Sequence, residues 1–125
     1  MIVEKIIDEG DEICVFFSSE YGFLSALWEG DKPTINEIYD VELEVDDDFV
    51  WEENIYKAMG NETRIELKGG VYTIYGRVIN LEEDGCLSVS LGDSVILLDT
   101  ENLPKYISGL IECKAFKVKL YPTGL

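Results

Sequence analysis

The chain has 125 residues, and its 26 Asp and Glu residues against ten Lys and Arg residues give a formal net charge of −16. Such a charge repels nucleic acids and anionic lipid surfaces, and it attracts basic proteins. Histidine is absent, which excludes Ser–His and Cys–His nucleophile pairs, histidine bases and most zinc sites. The apolar share of 46% is typical of a folded globular protein, and we expect one domain over residues 1–125.

The negative charge is unevenly distributed along the chain. Residues 1–62 hold 18 acidic residues and three lysines, a net charge of −15, whereas residues 63–125 hold eight acidic and seven basic residues, a net charge of −1. A charge that only keeps the protein soluble is the simpler interpretation. A surface that attracts a cationic partner is the functional one.

Neither a membrane segment nor a disulfide framework is expected. No apolar run reaches the roughly 18 to 20 residues that span a bilayer, and the first five residues do not resemble a secretory signal. The three cysteines, Cys14, Cys86 and Cys113, are an odd number at wide spacings without a metal-type pair. We therefore expect free thiols in a cytoplasmic protein, with neither a metal nor another cofactor.

The first third of the chain has the pattern of short strands. An apolar stretch predicts a strand over residues 1–7, and a Gly-Asp turn at 10–11 leads into a second strand over 12–18. Residues 22–28 are compatible with a strand or a short helix, and 30–33 form a loop.

Residues 38–46 alternate strictly between apolar and acidic side chains, which is typical of a strand with one buried face. The apolar face consists of Tyr39, Val41, Leu43 and Val45. The acidic face consists of Asp40, Glu42, Glu44 and Asp46.

The middle of the chain adds a predicted hairpin. No element is assigned to residues 47–60, and strands are expected over 63–68 and 71–81, with a turn at Gly69-Gly70 between them. Gly76 lies inside the longer strand, where a glycine indicates a bulge or a sharp bend.

The last third of the chain continues as a meander. Turn residues at 83–85 and 92–93 separate alternating strands over 86–91 and 94–98. Residues 99–106 are compatible with one helical turn that begins at Thr100 as its N-cap. A last strand is expected from Gly109 to Pro122, with Phe116, Val118 and Leu120 on one face.

About seven to nine short strands at this spacing predict an all-β fold with at most one or two short helices. Both a β-sandwich and a small coiled barrel agree with the pattern. The bend at Gly76 and the meander after it favour the barrel, of which an OB-like barrel is one form.

The sequence contains no recognisable catalytic centre, so we expect a protein that is not an enzyme. The Gly69-Gly70 pair lacks the Lys-Ser/Thr that a phosphate-binding loop requires. A general acid–base pair of carboxylates is not excluded, but among 26 carboxylates some pair meets the required spacing by chance. The run at 46–48 with Glu52 and Glu53 lacks the glycine of an EF-hand, so a solvated acidic loop is the expected structure.

One face of the last strand has the basic and aromatic residues that favour nucleic-acid binding. Lys117, Lys119 and Tyr121 share this face, and OB-like barrels bind single strands through basic and aromatic residues. The net charge of −16 opposes such binding, and lysines on an edge strand also prevent aggregation. We therefore expect neither a nucleic-acid nor a membrane partner.

The acidic strand and the segment after it form the candidate partner-binding site. Phe49 and Trp51 are two aromatic residues among five carboxylates, which resembles an interface where a large aromatic is surrounded by polar residues. The alternative is that both rings lie in the core, and this applies more to Phe49 than to Trp51. The predicted site consists of Asp40, Glu42, Glu44, Asp46, Asp47, Asp48, Trp51, Glu52 and Glu53.

Three stretches, 39–45, 75–93 and 119–122, give the chain a general similarity to a known group of proteins. A small acidic β protein of this plan resembles the immunity proteins encoded beside bacterial polymorphic or contact-dependent toxins. The resemblance implies a cytoplasmic protein that binds and blocks a toxin domain, often a basic nuclease. It transfers no functional residues, because the three stretches contain no diagnostic motif.

The function expected from the sequence is therefore inhibition of a cationic protein by occlusion, with the toxin domain as the partner that the resemblance implies. Carboxylates would take the place of the phosphates that a nuclease binds. One alternative is a structural or accessory subunit of a phage or secretion assembly. Another is a barrel that binds a small ligand, or an enzyme that uses carboxylates.

Overall fold

A computed structural model describes residues 1–19 and 22–123, and every helix or strand among them is a β-strand. The strands are β1 (Ile2–Glu9), β2 (Glu12–Ser19), β3 (Gly22–Trp28), β4 (Val41–Val45), β5 (Asp48–Val50), β6 (Ile55–Lys57), β7 (Arg64–Lys68), β8 (Val71–Leu81), β9 (Cys86–Leu91), β10 (Ser94–Glu101), β11 (Leu110–Ala115) and β12 (Val118–Pro122). The all-β prediction is confirmed. None of the described residues belongs to a helix that could span a membrane.

The strands form two sheets. The first sheet has the order β1-β2-β3-β12-β4, and the second has the order β5-β10-β9-β8-β11-β6, with β7 paired to β8. β8 carries β7 along its first half and β9 along its second half, so the second sheet bends strongly. This nearly closed arrangement agrees with the small barrel or sandwich that the sequence predicts.

One hydrophobic core lies between the sheets. Alternate residues of the strands point into it, among them Val15 of β2, Leu87 of β9 and Leu120 of β12, none of which is exposed to solvent. A polar contact also joins the two sheets, because the Tyr72 hydroxyl donates to the Ser25 carbonyl at 2.6 Å. Burial raises the pKa of this phenol, which therefore stays neutral as a donor.

Two glycines form the turn of the hairpin between β7 and β8. Gly69 and Gly70 have φ angles of 60° and 79°, the paired positive values that a two-residue type I′ turn requires. The predicted hairpin between β7 and β8 is therefore confirmed. Gly76 is not the site of the predicted bulge, because the register shift of β8 lies between Val78 and Asn80. A Cβ on Gly76 would lie 3.0 Å from Val89, so the glycine permits the close approach of β9.

Two predictions for the last third of the chain are wrong. No helical turn begins at Thr100, because β10 continues to Glu101 and the Thr100 backbone N–H and hydroxyl both donate to the Gly85 carbonyl. The expected single strand from Gly109 to Pro122 is two strands, β11 in the second sheet and β12 in the first. The segment 47–60, left unassigned from the sequence, contributes the short strands β5 and β6.

The contact between Gly85 and Thr100 gives a stability prediction. Gly85 has a φ of 91°, and an added Cβ would lie 2.3 Å from the Thr100 carbonyl oxygen. Gly60 has a φ of 96°, and an added Cβ there would have no atom within 4 Å. Gly60→Ala should therefore cost only the backbone strain, about 1–2 kcal/mol. Gly85→Ala should cost about 1–3 kcal/mol more, because the overlap displaces the β8–β9 turn.

Urea unfolding of the two variants measures this difference. The gain in stability that alanine gives by restricting the unfolded chain is the same for both and cancels. Equal losses for Gly85→Ala and Gly60→Ala would show that the turn does not rest against Thr100.

Candidate functional site

The acidic face of β4 lies at the surface, as the alternation predicts. Asp40, Glu42, Glu44 and Asp46 are all exposed, whereas Val45 is buried and Leu43 is partly buried against the core. β4 is the edge strand of the first sheet, and β12 is its only neighbour there. The carboxylates therefore form a continuous row along one edge of the molecule.

The row ends where the chain passes from one sheet to the other. β4 pairs antiparallel with β12 in the first sheet, and β5 pairs parallel with β10 in the second. Only Asp46 and Asp47 lie between β4 and β5. The Asp46 carboxylate lies 2.9 Å from the Lys119 ammonium. The Asp47 carboxylate accepts the backbone N–H of Phe116 at 3.0 Å.

The hydrogen bond from Lys119 has opposite effects on the two partners. It lowers the pKa of Asp46 and raises the pKa of Lys119, because each group is stabilised in its charged form. Lys119 also lies 3.8 Å from Glu29, and its side chain is only 20% exposed. Lys119 is therefore part of the structure of this edge, where it pairs with two carboxylates.

Lys119 and Tyr121, two residues of the predicted basic and aromatic face, have acidic neighbours on the adjacent strand. Glu44 lies opposite Lys119, and Glu42 lies opposite Tyr121. A hydrogen bond to Glu44 is the main cause that raises the pKa of the Tyr121 phenol. Within residues 1–19 and 22–123, Asp46 is the only member of the predicted site that has a Lys or Arg nitrogen within 4 Å. Most of the row therefore remains without a paired cation.

The two aromatics of the acidic segment are not exposed. Phe49 is 0% exposed and belongs to the core, which is the alternative that the sequence favoured for this ring. Trp51 is partly buried and packs against the core cluster. It begins the turn between β5 and β6, where Glu52 and Glu53 are exposed. These three residues lie at the far end of β5 from the row on β4.

Phe116 is the aromatic that the sequence analysis missed. Its side chain is 72% exposed, and its backbone is held by Asp47 in the connection between β11 and β12. The prediction that Phe116 shares one face with Val118 and Leu120 is wrong, because Phe116 is exposed and the other two are buried. The sequence does carry a signal, since the small or apolar residues of the inner face are odd-numbered from Ile111 to Ala115 and even-numbered at Val118 and Leu120. Such a change of phase requires a break in the ladder, which here falls at Phe116 and Lys117.

A groove of about 670 Å³ runs between β4 and β10. One side consists of Glu42, Glu44 and Asp46, and the other includes Val95 and Leu97. These two apolar side chains are 59% and 61% exposed, although they belong to a regular strand. The groove is completed by Leu43, Val45, Cys86, Asp99 and Tyr121. The groove is therefore acidic on one side and largely apolar on the other.

A second cavity bears on the possibility of a small ligand. It has a volume of about 180 Å³ and lies between the sheets, next to Phe17, Leu24 and Leu120. Pockets for drug-sized ligands usually occupy about 300–1,000 Å³, so this one is too small for such a molecule. Within the described part of the chain, no three Cys, Asp or Glu side chains are placed to hold a metal ion together.

Comparisons of the chain with protein-family models, with curated proteins and with solved structures gave no significant match. The assignment of a function to this surface therefore depends on its geometry and charge.

The positions of the two phenylalanines give a prediction for the free protein. Phe49→Ala should destabilise the fold by roughly 3–5 kcal/mol, because it leaves a cavity in the core. Phe116→Ala should change the stability by no more than about 0.5 kcal/mol, because its ring lies in water. Chemical denaturation of both variants compares them directly. A large loss for Phe116→Ala would place its ring in the core, on the same face as Val118 and Leu120.

The ion pair at the sheet crossing gives a pH prediction. The folded pKa of Asp46 lies below the ordinary 3.8, so its contribution to stability is present above pH 3.8 and is lost as the pH falls through the folded pKa. Lys119→Met should return the pKa of Asp46 towards 3.8. Carboxyl NMR titration measures this. Lys117→Met is the control, because Lys117 is the smallest of the causes that lower this pKa. An equal shift in both variants would contradict the pairing.

Proposed function

We propose that this protein is a non-catalytic inhibitor that binds a cationic protein, in the manner of an immunity protein bound to its toxin domain. The observation that carries the proposal is the exposed carboxylate row of β4, which lies beside exposed apolar side chains of β10. Protein interfaces combine a desolvated apolar centre with complementary charge at the rim. This groove presents both features on one surface.

Electrostatic repulsion within the row favours a cationic partner. Side chains two residues apart on a strand are about 7 Å apart, and two unit charges at that distance repel by roughly 0.6 kcal/mol in water. Screening over a Debye length of about 8 Å halves this value. The row therefore costs the free protein on the order of 1 kcal/mol. A basic surface that approaches the row relieves this repulsion in addition to the attraction that it gains.

The proposed mechanism is occlusion. A protein that acts on nucleic acid presents cationic side chains where phosphates bind. Carboxylates of the row would occupy those positions, and the apolar side of the groove would exclude water around them. The exposed Phe116, next to the sheet crossing, supplies a large apolar side chain beyond one end of the row.

Neither alternative from the sequence is favoured by a comparable observation. Two copies of the chain that met at this groove would bring one carboxylate row against another, at a net charge of −16 each. A small-ligand barrel would need a larger cavity than the one between the sheets. Binding of a basic protein agrees with the charge of the groove and with its exposed apolar side.

Charge reversal at the row tests the proposal. The partner to be tested is the protein encoded directly upstream, because immunity genes lie directly downstream of their toxin genes. Asp40→Lys with Glu42→Lys should lower the association rate by roughly tenfold at low salt, because long-range attraction steers the encounter. Glu44 is left unchanged, because it lies opposite Lys119. Stopped-flow or surface plasmon resonance measures the rate.

The control is an equal charge change at the opposite end of the same sheet. Glu4→Lys with Asp8→Lys changes two exposed residues of β1. This variant should retain most of the parent rate, and the difference between the two variants should shrink as salt rises. Equal effects of the two pairs would show that only the net charge matters. Absence of binding by the parent protein would contradict the proposal itself.

A further inference from the structure

We propose that the groove binds one extended segment of the cationic partner, with basic side chains directed to β4 and apolar side chains directed to β10. This inference rests on the proposed function and specifies how the partner is recognised. It follows from three properties of the groove: the two strands that border it, the spacing of their side chains and the unusual exposure of the apolar side.

Both strands that border the groove are sheet edges. β4 is the last strand of the first sheet. β5 covers the edge of β10 only at Asp99–Glu101. Among the described residues, the half of β10 from Ser94 to Leu98 therefore pairs with β9 on one side and with no strand on the other. Edge strands are normally protected by charge or covered by another element. Here the first charged side chain on the outer face of β10 is Asp99, beyond the two apolar ones.

The exposure of the apolar side has no explanation within the fold. Val95 and Leu97 are exposed, whereas the residues that directly follow them, Ile96 and Leu98, are buried. Their cross-strand neighbours on β9 are Ser90 and Ser88, which are too small to cover them. Contact with a partner would remove these apolar side chains from water. The acidic row opposite them determines that this partner is basic.

The spacing of the side chains favours an extended segment over a helix. Alternate residues of a strand repeat at about 6.6–6.8 Å, and this holds for Glu42 and Glu44 as well as for Val95 and Leu97. An extended chain has the same repeat, and its successive side chains point to opposite sides. A segment that lies along the groove therefore presents one set of side chains to each strand. A helix would place side chains four apart only about 6 Å apart, with its far side in solvent.

Cys86 provides a reporter at the base of the groove. It is partly buried and lies opposite Asp99 on the neighbouring strand. Burial, together with the carboxylates of Asp84 and Asp99, raises the pKa of its thiol. The thiol is therefore neutral at physiological pH and reacts slowly with alkylating agents. Occupation of the groove should slow this reaction further, whereas Cys14, on β2 of the other sheet, should react as before.

Short synthetic peptides test the inference on the whole protein. One peptide alternates lysine and valine, a second contains the same residues in separate lysine and valine blocks, and a third arranges them as an amphipathic helix. The alternating peptide should bind at least about tenfold more tightly than the other two, because it alone satisfies both sides of the groove. It should also protect Cys86 from alkylation. Fluorescence anisotropy gives the affinities, and mass spectrometry gives the extent of labelling at each cysteine.

Two variants separate the contributions of the two sides. Val95→Ser with Leu97→Ser should abolish the preference for alternation, and the remaining weak binding should depend on charge alone. Glu42→Gln with Glu44→Gln should weaken binding of all three peptides. Ile79→Ser is the control, because Ile79 is a 55% exposed apolar residue of β8 outside the groove. Thermal melts establish that each variant is folded.

The possible outcomes distinguish this inference from the proposed function. Equal affinities for the alternating and block peptides, or tighter binding of the helical peptide, would overturn the extended mode and leave a cationic partner in place. Self-association of the protein in sedimentation, abolished by Val95→Ser with Leu97→Ser, would instead assign the groove to a second copy of the chain. Failure of every cationic peptide and of the upstream toxin domain to bind would contradict the proposed function as well.

Discussion

The chain changes sheets at two adjacent points, and the contacts between these two crossings are the constraint on which the candidate site depends. β4 leads into β5 through Asp46 and Asp47, and β11 leads into β12 through Phe116 and Lys117. The Asp47 carboxylate accepts the Phe116 N–H, and the Asp46 carboxylate pairs with Lys119 just after the second crossing. These two contacts fix the position of β4 relative to the second sheet. The groove lies between β4 and β10.

The carboxylates of the acidic segment therefore have two different roles. Asp46 and Asp47 connect the two crossings, and we expect their removal to lower the stability of the fold. Asp40 and Glu42 are exposed and have no cationic partner among the described residues, so they contribute charge to the surface at a cost in repulsion. Glu44 is intermediate, because it faces Lys119 and hydrogen-bonds Tyr121. Net charge alone does not reveal this division.

The sequence was sufficient to predict local structure where the alternation of apolar and polar side chains or the residues of a turn determine it. The alternation at 38–46 identified the exposed face of β4, and the Gly69-Gly70 pair identified its hairpin, because both patterns depend on neighbouring residues only. Thr100 was misread, since its hydroxyl does not accept a helical N–H but donates to the Gly85 carbonyl, 15 residues away along the chain. The pairing of β4 with β12 involves residues more than 70 positions apart, and the groove depends on that pairing. No local pattern contains this information.

The alternation of side chains along a strand also explains why Phe49 lies in the core. Successive side chains of a strand point to opposite faces, so an aromatic residue that directly follows an exposed carboxylate is directed inwards. Asp48 is exposed and Phe49 is fully buried, as this geometry requires. The apolar neighbours of a carboxylate row must instead come from other strands or from the connections between them. Val95, Leu97 and Phe116 meet that condition, and each lies far from the row in sequence. In a β protein, an acidic surface with an apolar centre is therefore assembled by the sheet topology and not by a contiguous segment of the chain.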